Sequence, residues 1–155
     1  MRRVRAALSV LAVLVAGMLG AATTNAQEAP GVAAANAPDC PHADEIAQRH
    51  LLGLWHAQVE GSPRGATLLL ERDPDPDLSE TVRGEIDRNG ERAAVAGDVD
   101  GGDFTLEESR NGVNISATWL GEVVEGSCGR EIRGTWRAEG ENAERPFVLH
   151  KLPAR

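Results

Sequence analysis

Beyond Leu51 the apolar residues of this chain recur at every second position, in short segments separated by turn-forming residues. A β-strand with one buried and one wet face requires that pattern, because successive side chains leave a strand on opposite sides. Leu51, Gly53, Trp55, Ala57 and Val59 share the first inward face, and Ala66, Leu68 and Leu70 the second. Val82, Gly84 and Ile86 make the third, Ala93, Val95, Gly97 and Val99 the fourth, Phe104 and Leu106 the fifth. Val113, Ile115, Ala117, Trp119, Gly121 and Val123 form the sixth and longest run, then come Ile132, Gly134 and Trp136, and last Phe147 and Leu149. The alternate positions carry Arg83, Glu85, Asp87, Glu107, Thr118, Glu122, Arg133 and Arg137, and in this register no acidic side chain points inward. All five aromatic residues, three Trp and two Phe, fall on the apolar face.

The links between segments decide the topology. Asn89-Gly90, Asp100-Gly101-Gly102, Asn111-Gly112 and Glu125-Gly126-Ser127 are hairpin-type sequences, whereas Asp73-Pro74-Asp75-Pro76-Asp77 reads as a longer loop. Strands joined by hairpins are antiparallel neighbours. Eight of them arranged as a meander form a sandwich or a barrel, and the short links favour closure, since crossing between sheets takes longer connections. The expected fold is all-β: a small antiparallel up-and-down eight-stranded β-barrel. The inward glycines at 53, 84, 97, 121 and 134 fit a tightly coiled barrel, where they would relieve crowding and make room for a neighbour's Trp.

The N-terminus reads as an address. Met1-Arg2-Arg3-Val4-Arg5 precedes an apolar run from Ala6 to about Ala22, and Thr24-Asn25-Ala26 offers small residues for cleavage. A basic head, an apolar middle and a small-residue end make a secretory signal peptide over residues 1–26. Its removal leaves 129 residues with 13 basic and 24 acidic side chains, a net charge of −11. That charge disfavours anionic membrane surfaces, and with so few aromatics and no basic stripe it excludes nucleic acid as a partner. The location expected is periplasmic or secreted, with no stable membrane insertion after cleavage. In an oxidising compartment Cys40 and Cys128, an even pair without metal-ligand spacing, form one disulfide. Residues 27–39 are a flexible Ala/Pro-rich lead, and 40–155 the barrel domain. A short helix opens that domain, with Asp39 as cap and Pro41 in its first turn, and ends near His50.

Leu52-Gly53-Leu54-Trp55 resembles the Gly-x-Trp signature that opens the lipocalin barrel, whose Trp packs across the closed end. Ala117-Thr118-Trp119-Leu120-Gly121 followed by Ile132-Arg133-Gly134-Thr135-Trp136 is similar to the paired Trp strands late in avidin-type barrels. Both resemblances imply a calycin-like eight-stranded meander. The order of lead, short helix, Gly-x-Trp strand, barrel and disulfide also resembles the layout of exported bacterial metalloprotease inhibitors. That family inserts its mature N-terminus into the protease; here the segment would be Gln27-Glu28-Ala29-Pro30.

No catalytic constellation stands out. None of the serines sits on a Gly-x-Ser-x-Gly elbow, and the acids lie on wet faces or in turns. Asp98, Asp100 and Asp103 are only a fragment of a calcium loop and read as a solvated hairpin tip. His56 and His150 lie on the outer faces of strands that closure brings together, yet no third ligand is specified, so neither a metal nor a cofactor is expected. The inward Trp55, Phe104, Trp119, Trp136 and Phe147 either line an apolar pocket or fill the barrel. The expectation is an exported, non-catalytic binding protein: a lipocalin- or avidin-like barrel for a small apolar ligand. The alternatives are a protein-binding module such as a periplasmic protease inhibitor, or an envelope structural protein.

Overall fold

Alternating burial along the chain is converted into eight strands, described in a computed structural model over residues 40–154. The leader expected over 1–26 and the lead expected over 27–39 lie outside the described residues. The strands are β1 Gly53–Val59, β2 Ala66–Arg72, β3 Val82–Arg88, β4 Glu91–Asp100, β5 Asp103–Ser109, β6 Ala117–Val123, β7 Glu131–Ala138 and β8 Arg145–Lys151. Each pairs antiparallel with the next, and β8 returns to β1 to close the barrel. Closure satisfies the strand edges that an open sheet would leave unpaired. Two of the links are two-residue turns: Asn89-Gly90 holds φ of 57° and 92°, and Gly101-Gly102 holds 56° and 93°. Positive φ at both central positions is what the twist of a tight hairpin demands.

The inward positions of the alternation are the core. Trp55, Trp119, Leu68, Ile86, Leu106, Ile132 and Leu149 are fully buried, and Phe104 and Phe147 nearly so. Burying side chains of this size contributes roughly 1.5–3 kcal/mol each. Trp119 packs edge-on against Phe147 at 5.0 Å and against Trp136 at 6.4 Å between ring centroids. Offset and edge-to-face contacts at these distances suit the ring quadrupoles. The glycines of β6 and β7 serve a different need from the one the sequence suggests. Gly121 and Gly134 are register partners, and a Cβ on Gly134 would lie 2.0 Å from the Leu120 carbonyl oxygen and 2.4 Å from the Gly121 Cα. At Gly134 the space is taken by neighbouring backbone, and at Gly121 by the Arg133 carbonyl oxygen and an aromatic ring, that of Phe147 and not of a Trp, at 2.5 and 2.9 Å.

Two local expectations change. The sixth run is shorter than its sequence pattern: Val113 and Ile115 are exposed and lie in the loop before β6. The Asn111 side chain accepts hydrogen bonds from the backbone N–H of Val113 and Asn114 at 3.0 and 2.8 Å. This local turn outcompetes the ladder. The N-terminal helix is also two short pieces, a 3₁₀ turn at Ala43–Glu45 and α1 at Gln48–Leu51. Ile46 and Ala47 between them are extended, which sends Ile46 into the core. His50 Nδ1 accepts the Ala47 N–H at 2.9 Å and starts α1 afresh.

These pieces close one end of the barrel. The Cys40–Cys128 disulfide, with Cα atoms 4.8 Å apart across a sequence separation of 88, ties them to the β6–β7 link. In the chain-entropy picture a loop of that length stabilises by about 4–5 kcal/mol. Trp55 seals the same end, its indole N–H donating to the Leu51 carbonyl at 2.7 Å. Lys151 lies 5.6 Å over the Trp55 ring and donates to the His50 carbonyl. Burial, and then the nearby Arg130, lower the Lys151 pKa below its ordinary value. Among the described residues no helix is long and apolar enough to cross a membrane.

Candidate functional site

The opposite end stays open because its inward residues are small or charged. Val59 at the end of β1, Ala66 at the start of β2, Ala57 and Ala93 wall a cavity of about 430 Å³, with Trp136 of β7 along one side. Its volume is in the range of small-molecule sites. The same alternation that places apolar residues inward carries charge inward near this rim. Arg88 follows Val82, Gly84 and Ile86; Glu108 follows Phe104 and Leu106; Arg145 precedes Phe147 and Leu149.

Glu108 is 1% exposed, which corrects the expectation that no acid points inward. Arg88 makes its burial tolerable: Nη1 and Nη2 donate to the two carboxylate oxygens at 2.6 and 2.7 Å. This is the two-pronged geometry in which a guanidinium best matches a carboxylate. The Arg88 guanidinium carbon also lies 5.7 Å from the Trp119 ring centroid and 6.0 Å from that of Trp136. Arg145, the register partner of Trp136, approaches the same indole at 5.2 Å. Two guanidinium groups therefore converge on one ring at the cavity wall. Both distances fall within cation–π range.

Arg92, Arg110 and Glu91 complete the charged rim. Arg92 is engaged on the outer side, 3.2 Å from Asp87 and 3.4 Å from Glu85. Asp87 also accepts the Gly90 N–H at 2.7 Å, and that bond, followed by Arg92, holds its pKa below the usual carboxylate value. Arg145 meets Glu141 at 3.3 Å with its side chain 44% exposed. Arg110 is exposed. The buried indole N–H groups of Trp119 and Trp136 donate to no acceptor among the described residues.

Of the five aromatic residues picked from the sequence, Trp136 lines the mouth cavity, while Trp55, Phe104, Trp119 and Phe147 are packed in the core. His56 and His150 are register partners on the outside of β1 and β8, with Glu131 3.8 Å from His150. Among the described residues, however, no group of three His, Cys, Asp or Glu side chains is placed to hold a metal ion. The sequence matches no protein-family model and no curated protein. Fold and site together define a closed eight-stranded antiparallel barrel, compatible with the calycin-like architecture, with a charged, aromatic-walled mouth.

Proposed function

We propose that this chain is an exported, non-catalytic binding protein of the lipocalin or avidin kind, which takes a small ligand with an apolar body into the mouth of the barrel. The single observation that carries this reading is the cavity of about 430 Å³ walled by Ala57, Val59, Ala66, Ala93 and Trp136. Below it Trp119, Phe147 and Leu106 fill the barrel, so the ligand sits at the rim and does not run down the axis. Binding in place of catalysis is supported by the state of Glu108, whose two carboxylate oxygens are both engaged by Arg88. A general base needs a free lone pair within reach of its substrate. Export is supported by the disulfide, a bond that persists in oxidising compartments, together with the signal-like leader. The protein-binding alternative rests on residues 27–39, outside the described residues.

The test is titration with phenylnaphthylamine, an uncharged fluorescent probe with an apolar body. Its emission should rise on binding while tryptophan emission falls by energy transfer. Trp136→Ala should weaken binding by about tenfold, the loss of one aromatic wall. Emissions that stay unchanged both with this probe and with an anionic probe of the same body would end the small-ligand reading.

A further inference from the structure

Four arginines, Arg88, Arg92, Arg110 and Arg145, and two glutamates, Glu91 and Glu108, line the cavity, and Asp87, Glu85 and Glu141 reach two of the arginines from outside it. The arginines are unevenly engaged. Arg88 is taken by Glu108, and Arg92 by Asp87 and Glu85. Arg145 has only the long 3.3 Å contact to Glu141 at its exposed side, and Arg110 has no carboxylate within 4.0 Å among the described residues. Arg145 therefore keeps most of its donors for a ligand, while its guanidinium carbon lies 5.2 Å from the Trp136 ring centroid. A guanidinium within cation–π range of an aromatic wall is partly preorganised, so less is lost in ordering it when an anion arrives.

We infer that the ligand is an amphipathic anion: an apolar or aromatic body that lies on Trp136 and the alanine walls, bearing a carboxylate or similar oxyanion that Arg145, with Arg110, receives at the rim. This deepens the small-ligand reading and rests on it. An uncharged ligand, or a cation, would leave the remaining donors of Arg145 and Arg110 without an acceptor. The acidic remainder of the surface disfavours anions elsewhere, so discrimination is confined to the mouth.

The experiment compares two probes that share one body, phenylnaphthylamine and its sulfonated counterpart anilinonaphthalene sulfonate, on the purified full chain by calorimetry. The expected result is a preference for the sulfonate of about tenfold, as one charge-assisted contact would give. That ratio should shrink towards unity in Arg145→Gln, shrink partly in Arg110→Gln, and fall with added salt. Arg137→Gln removes an exposed charge from the outer face of the same strand as Trp136 and should leave the ratio at its wild-type value. Equal affinity for the two probes, or a preference that survives in both rim variants, overturns the inference and leaves the small-ligand reading standing. Failure of both probes to bind overturns the two together.

Discussion

Arg88 and Glu108 face each other across β4, on strands that are not neighbours, and close a two-pronged ion pair inside the barrel at 2.6 and 2.7 Å. Glu108 is 1% and Arg88 25% exposed, so the pair lies at the boundary between the packed core and the open mouth. Removing water from two charges costs about as much as their attraction returns, so such a pair specifies a geometry more than it adds stability.

The pair should therefore behave non-additively. Arg88→Leu leaves a buried carboxylate without its partner and should cost about 3–5 kcal/mol in chemical denaturation. Arg88→Leu combined with Glu108→Leu should recover most of that loss. Equal losses in the single and double variants would show that Arg88 acts through packing on Trp119 and Trp136, not through the charge of Glu108.

At Gly134 the limit is steric. A Cβ there meets the Leu120 carbonyl oxygen at 2.0 Å, and the obstacle is backbone that cannot rotate away. Gly134→Ala should destabilise by more than about 3 kcal/mol, at or beyond the upper end of ordinary overpacking. Gly140→Ala, where nothing lies within 4 Å, is the comparison; its φ of +79° costs only local strain. A Gly134→Ala protein that melts with the Gly140→Ala protein would contradict the close approach of β6 and β7.

The closed end should carry a shallow pH dependence. The Glu125 carboxylate accepts from His42 Nδ1 at 3.0 Å and from the Ala43 N–H at 2.8 Å. Its bond to Glu125, helped by Glu45 and Asp44, raises the His42 pKa above 6.5. The Ala43 N–H first, then His42, lower that of Glu125 below 4.5. The histidine's contribution is complete below pH 6.5 and fades as pH rises through its raised pKa; that of Glu125 is complete above pH 4.5 and fades as pH falls through its lowered one. The melting difference between wild type and His42→Ala should thus be largest between pH 4.5 and 6.5 and vanish in alkali. Both side chains are exposed, so the effect is small and salt-sensitive. A difference that grows with pH would contradict the pairing.

Much of the barrel was legible because alternation and turn chemistry agree. Phe104 and Leu106, or Ile132 and Gly134, define an inner face by themselves, and Asn89-Gly90 or Gly101-Gly102 can only be tight turns. The site was harder to see for a physical reason. Glu108 lies two residues beyond Leu106 and Arg88 two beyond Ile86, so the same step places both inside, but a charged side chain reads as a wet one until its partner is known. That partner stands on a strand two places away, and only closure and register bring them together. Val113 and Ile115 erred the other way: they keep the period, yet Asn111 holds their backbone in a loop. The break at Ile46 and Ala47 was hidden because Ile46 is apolar in either conformation.

The most direct test of the account is nuclear magnetic resonance of the methyl-labelled protein titrated with phenylnaphthylamine. The methyl signals of Ala57, Val59, Ala66 and Ala93, at the mouth, should shift together and show contacts to the naphthyl protons, while those of Leu70, Val82 and Ile132 at the closed end stay in place. Contacts confined to the closed end, or to exposed Leu54, Leu69 and Leu120 on the outer wall, would contradict a ligand site in the barrel mouth.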